Sequence, residues 1–164
     1  MKLADINSLS QADFLELFGG IAEHTPWVAG GASRLRPFAS RDAMVDAFQT
    51  VLSSASRAKQ KALIGVHPDL AGRATLAPDS RDEQAGAGLD TLTQEEMARF
   101  NNLNGRYQER FGFPFILAVK GATKHQILEA FASRIGGGHE EEFLTALAQV
   151  MRIIRFRLED RVDG

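Results

Sequence analysis

Four times along this chain a serine or threonine stands immediately ahead of a run whose apolar residues recur at three- and four-residue steps. That spacing places them on one face of a helix, with the hydroxyl positioned to cap it. Ser10 precedes QADFLELF, with Phe14, Leu15, Leu17 and Phe18, and Gly19 and Gly20 end the run. Ser40 precedes Met44, Val45, Phe48, Val51 and Leu52. Thr93 with Glu96, and Thr123 with Gln126, have capping-box spacing, in which each side chain bonds the other residue's backbone amide. The first box leads into Met97, Phe100, Leu103, Tyr107 and Phe111 and meets Gly112 where helices commonly stop. The second leads into Ile127, Leu128 and Phe131 and ends at glycines 136–138. A last helix is expected over Phe143, Leu144, Leu147, Val150, Met151 and Ile154. Only residues 113–119 have strand character, and an isolated strand cannot make a sheet, so the pattern predicts an all-α fold.

A chain of 164 residues with 44% hydrophobic side chains suits a single compact multi-helix domain over residues 1–164. At that size roughly 68–70% of the unfolded surface becomes buried, enough for a core without disulfides or structural metal. The chain has no cysteine. Nineteen Lys and Arg against 21 Asp and Glu leave a net charge of -2, without the basic excess that polynucleotide binding requires. No nucleic-acid partner is expected. No apolar run approaches a membrane span, and MKLADINSLS lacks the apolar stretch of a secretory signal, so no membrane association and a cytoplasmic location are expected. Residues 24–39 and 65–88, rich in Gly, Pro and Ala, are long for structureless loops in a compact domain. They are either functional or hold short helices. The acidic residues Glu140, Glu141 and Glu142 supply negative charge to the first turn of the last helix.

Within GVHPDLAG, His67 precedes Pro68, which biases it away from helical geometry and toward a helix end. Its imidazole titrates near neutral pH, so it is a candidate general acid or base; the alternative is a structural histidine bonded to a backbone carbonyl. Ser80, Glu83 and Gln84 in SRDEQAGAGL share one face if that segment is helical. They then form either a polar site or a capping box with Ser80 as N-cap. Arg152, Arg155 and Arg157 cannot all share a face of the last helix, and an inward-pointing one could grip a carboxylate or ureido oxygen with its planar fork. His24, His67, His125 and His139 are too scattered for a zinc-type pair, and no phosphate-loop, dinucleotide or GxSxG motif occurs. No metal and no cofactor are expected.

Together, HPDLAG at 67–72, SRDEQAGAGL at 80–89, FNNLNGRYQERFGFPFILAVKG at 100–121 and IIRFRL at 153–158 resemble the OHCU decarboxylase family of urate degradation, from about Leu9 to Leu158. The family's fold is all-α. The resemblance implies decarboxylation of 2-oxo-4-hydroxy-4-carboxy-5-ureidoimidazoline to (S)-allantoin, with a small-molecule ureide as the partner. It further implies His67 as the catalytic histidine, Glu83 as its carboxylate and Arg157 as the substrate-binding arginine, with Arg155 as the alternative register. By the same resemblance Pro68, Ser80 and Gln84 line the pocket, and FGFPFI closes it through Phe113 and Ile116.

Such a substrate carries its own electron sink, because the ring C=N beside the carbinol carbon accepts the pair that carbon dioxide leaves behind; pyridoxal, thiamine or metal is then unnecessary. Two other function classes compete. A helical binding module would dock a partner through the phenylalanine stripe, and a metal-dependent hydrolase would open a cyclic amide. Sequence alone is compatible with either a monomer or a homodimer.

Overall fold

A computed structural model of the chain describes residues 1–72 and 76–164. The described residues form α1 (Leu3–Ser8), α2 (Gln11–Phe18), α3 (Pro26–Ser33), α4 (Arg41–Ser54), α5 (Arg57–Gly65), α6 (Pro78–Gly86), α7 (Gln94–Phe111), α8 (Lys124–Arg134) and α9 (His139–Arg161). No strand occurs among them, so the fold class is all-α as expected. Among the described residues no helix is long and apolar enough to cross a membrane.

All four capping residues act where their spacing placed them. Ser10 Oγ accepts from the Asp13 amide at 3.1 Å and Ser40 Oγ from Ala43 at 3.0 Å. Both capping boxes close: Glu96 N to Thr93 Oγ1 at 3.1 Å with Thr93 N to Glu96 Oε1 at 3.2 Å, and the corresponding pair between Thr123 and Gln126 at 3.2 and 2.9 Å. Gly112 ends α7 at φ 75°, a left-handed conformation that glycine adopts without steric cost. The two Gly- and Pro-rich segments contain α3 and α6, each opened by a proline whose fixed φ and missing N–H suit a first turn. The last helix is rotated from its expected face: Glu142, Phe143, Ala146, Val150, Ile153, Ile154, Arg157 and Leu158 are buried, while Leu144 is exposed.

The chain divides into two compact units, residues 1–66 with 151–164, and residues 67–150; α9 begins in the second and ends in the first. In the first unit, Phe14 lies 4.8 Å from Phe18, 6.3 Å from Phe38 and 6.5 Å from Phe48, ring centre to ring centre. Arg36 caps this cluster, its guanidinium 5.0 Å from the Phe14 ring, and donates to the carbonyls of Ile6, Leu9 and Ser33. In the second unit Tyr107 is fully buried and touches Phe111, Phe113, Phe115 and Phe131 at 4.5 to 6.0 Å. The phenylalanine stripe is therefore core, which removes the surface that the binding-module reading needed.

Residues 113–119, between α7 and α8, have no regular structure and are almost entirely buried. Their polar groups are met by side chains instead, as buried backbone requires. Arg134 Nη1 donates to Ile116 O at 2.6 Å, and the Ala118 amide donates to Gln149 Oε1 at 2.9 Å.

α3 packs against α2 and α4. At Gly31 a Cβ would stand 2.7 and 2.8 Å from the two methyl carbons of Val51. Since valine has little χ1 freedom in a helix, Gly31→Ala is expected to lower unfolding free energy by about 1–3 kcal/mol. Adding Val51→Ala should recover part of the loss, as read from urea denaturation of both variants.

Candidate active site

His67 lies in the turn after α5 and is 8% exposed, with Pro68 half-buried beside it. The segment that carries them is held by two side-chain amides. Gln84 Oε1 accepts from the Ala71 amide at 3.0 Å and Gln84 Nε2 donates to Asp69 O at 3.4 Å. Asn104 Nδ2 donates to Leu70 O at 2.8 Å. Ala71 sits at φ 56°, where a Cβ is strained, and persists because these bonds over-determine the turn. Asp69 is exposed as a residue, yet desolvation raises its carboxyl above the ordinary aspartate range.

α6 brings Ser80, Glu83 and Gln84 to one side, as their spacing required. Ser80 and Gln84 are buried and Glu83 is half-buried. The capping-box alternative is overturned: the N-cap of α6 is Ala77, which makes no side-chain cap, and Ser80 lies inside the helix. Pro78 at the first helical position started the helix earlier than a hydroxyl count suggested. Phe113 and Ile116 are 5% and 3% exposed. His67, Pro68, Ser80, Glu83, Gln84, Phe113 and Ile116 all belong to the second unit.

Arg157 belongs to the first unit. Residues two apart on a helix differ by about 200° in direction, and α9 separates Arg155 and Arg157 accordingly. Arg155 is half-buried, its side chain 41% exposed, and pairs with Asp42 at 3.0 Å and Glu159 at 3.4 Å. Arg157 is 5% exposed; its Nη1 donates to Ile21 O at 3.0 Å and its Nη2 to Glu23 Oε1 at 2.9 Å. Glu23 is presented by a tight turn before α3, in which the Thr25 hydroxyl donates to Glu23 O and His24 adopts φ 44°. The inward arginine is thus Arg157.

Four polar residues of the interior were not singled out in advance: Glu23, Asn104, Arg134 and Glu142. Asn104 and Glu142 could have been found, since each occupies a buried position of its helix, Asn104 between Phe100 and Tyr107 and Glu142 one turn before Ala146. Glu142 exceeds the dipole role assigned to its triplet: it is buried and accepts from Tyr107 Oη at 2.6 Å and Arg134 Nε at 2.9 Å. Burial, followed by that bond to Glu142, raises the Tyr107 pKa, so its phenol stays protonated and donates.

Among the described residues no group of three or more His, Asp or Glu converges in a way that could hold a metal ion. The candidate groups are an imidazole and a helix-borne carboxylate in the second unit and a guanidinium in the first, all carried by an all-α fold.

The model of the OHCU decarboxylase family matches residues 7–159. The chain is 41% identical over 164 residues to a 2-oxo-4-hydroxy-4-carboxy-5-ureidoimidazoline decarboxylase of Haloferax volcanii, covering all of this chain and 98% of the relative. It is 42% identical over 156 residues to the uric acid degradation bifunctional protein PucL of Bacillus subtilis, covering 95% of this chain and 32% of that protein. A crystal structure of (S)-allantoin synthase superposes with a TM-score of 0.82 at 32% identity, over 99% of this chain and 55% of that one. The chain belongs to the OHCU decarboxylase family.

Removing one partner of a buried ion pair strands the other charge, whereas exposed pairs contribute little. Arg157→Met is expected to cost about 3–5 kcal/mol of stability. Arg155→Met should cost below about 1 kcal/mol. Chemical denaturation of the two variants in parallel reads the difference.

Proposed function

We propose that this protein decarboxylates 2-oxo-4-hydroxy-4-carboxy-5-ureidoimidazoline to (S)-allantoin and carbon dioxide, as a cofactor-independent carboxy-lyase of urate degradation. The observation that carries this reading is the match to a relative of that name along essentially the full length of both chains. On this reading residues 1–164 work as one catalytic domain, its partner is the small ureide rather than nucleic acid, and its location is cytoplasmic.

The chemistry asks for few groups. The bond between the carbinol carbon and the carboxylate breaks, its pair forms a double bond to the ureido-bearing carbon, and the former C=N pair moves to the ring nitrogen, which takes a proton. The enol then loses its hydroxyl proton and gains one on the ureido-bearing carbon. Delivery to a single face yields one enantiomer.

His67 moves the proton: an imidazole nitrogen can both take and give one, and at 8% exposure this ring is largely shielded from bulk water. Glu83 orients the imidazole and steadies its charged form. Arg157 clamps the carboxylate, and its guanidinium is already oriented by Ile21 O and Glu23. Pro68, Ser80, Phe113 and Ile116 shape the pocket. Gln84, with its amide engaged by residues 69 and 71, shapes it through that turn as much as by direct contact.

Spontaneous decay of the substrate gives racemic allantoin, so the test is to generate the substrate in situ and follow the circular dichroism of the product. A net (S) signal is expected. Activity unchanged by exhaustive EDTA dialysis supports the metal-free reading, and loss that zinc restores would sink it. His67→Asn should fold normally and lose about 10²–10⁴ in rate, the usual worth of general acid–base catalysis. A near wild-type kcat would remove His67 from the mechanism. Glu83→Gln should lower kcat by about 10² while leaving the melting temperature close to wild type, because shape is kept and only charge is lost. A variant that melts early but turns over normally would make Glu83 structural.

A further inference from the structure

Three charged or polar side chains of the second unit converge beside Phe113 and Ile116, two residues assigned to the pocket wall. Glu142 on α9 is 3% exposed, and its Oε1 accepts from both Tyr107 Oη at 2.6 Å and Arg134 Nε at 2.9 Å. Arg134, the last residue of α8, turns its Nη1 onto Ile116 O at 2.6 Å. Its guanidinium carbon stands 4.3 Å from the centre of the Phe115 ring, which is stacked on Phe131 at 3.9 Å and 8°.

As a stabilising device this pair is poorly made. The Arg134 Nη2 is buried with no hydrogen-bond partner, and buried ion pairs of that kind are often no better than apolar residues of equal volume. What the fork achieves is geometric. One nitrogen is fixed on Glu142 and another on a peptide carbonyl, so the plane of the Ile116 peptide is set by a rigid group that is itself held at two points. The neighbouring side chain is set by the same group, because Phe115 carries the guanidinium on its ring. Phe113 is tied in by Tyr107 at 6.0 Å and Phe143 at 6.2 Å. Holding the Phe115 ring on one side of Ile116 and its carbonyl on the other restricts the directions open to the Ile116 side chain.

We propose that Arg134 and Glu142 are positioning residues for the substrate-binding wall at residues 113–116, acting through the carbonyl of Ile116 rather than by contact with substrate. The proposal rests on the decarboxylase reading above and on Ile116 lining its pocket. A wall that contacts the substrate equally in the ground and transition states affects KM and leaves kcat alone.

Arg134→Met combined with Glu142→Gln removes the fork without stranding a buried charge, since the new carboxamide oxygen would still accept from Tyr107 and methionine packs well on Phe115. In the fully folded double variant, KM for the substrate generated in situ should rise about tenfold with kcat within about twofold of wild type. Arg134→Lys keeps the charge opposite Glu142 but loses the two-point fork. It should raise KM comparably, and it decides the matter if the double variant does not fold. A folded double variant or Arg134→Lys with wild-type KM overturns the proposal. So does a loss confined to kcat that tracks the melting temperature, which is what a merely structural pair would give. Wild-type protein yielding only racemic allantoin would overturn the decarboxylase reading itself, and the positioning role with it.

Discussion

Backbone that leaves a helix and stays buried has no ladder to satisfy its polar groups, and in an all-α protein that demand falls on side chains. Several side-chain contacts among the described residues answer it. Arg36 serves the carbonyls of Ile6, Leu9 and Ser33, and Arg157 serves Ile21. Asn104 serves Leu70, Gln84 serves Ala71 and Asp69, Arg134 serves Ile116, and Gln149 serves the Ala118 amide. Long planar side chains suit the task because a guanidinium or carboxamide reaches across a loop and presents donors in a fixed geometry.

Two of the segments so held carry residues proposed for the site. Residues 67–72 carry the candidate histidine, and residues 113–119 carry the candidate wall; neither has regular structure of its own, and each is rigidified from a neighbouring helix. A decarboxylation whose substrate supplies the electron sink asks the protein mainly for orientation and a proton path. Preorganised loops on helical supports suit that requirement, and the strained Ala71 shows that the turn beside His67 is held by its surroundings rather than by its own preference.

Local chemistry alone determined the caps at Ser10, Ser40, Thr93 and Thr123, the left-handed stop at Gly112 and the all-α class, because a cap or a helical stripe is decided within a few residues of chain. The shared face of Ser80, Glu83 and Gln84 was legible for the same reason, and the HPDLAG and IIRFRL motifs pointed to His67 and Arg157. Tertiary structure decided the rest. Whether Ser80 caps or lies within α6, that Arg157 turns inward onto Glu23 while Arg155 meets solvent, that Leu144 is exposed, and that Glu142 is buried beneath Tyr107 and Arg134 all depend on partners far away in sequence. A buried charge is tolerated only where its counterpart arrives, and Glu23 reaches Arg157 across 134 residues of chain, a meeting that no window of local pattern contains.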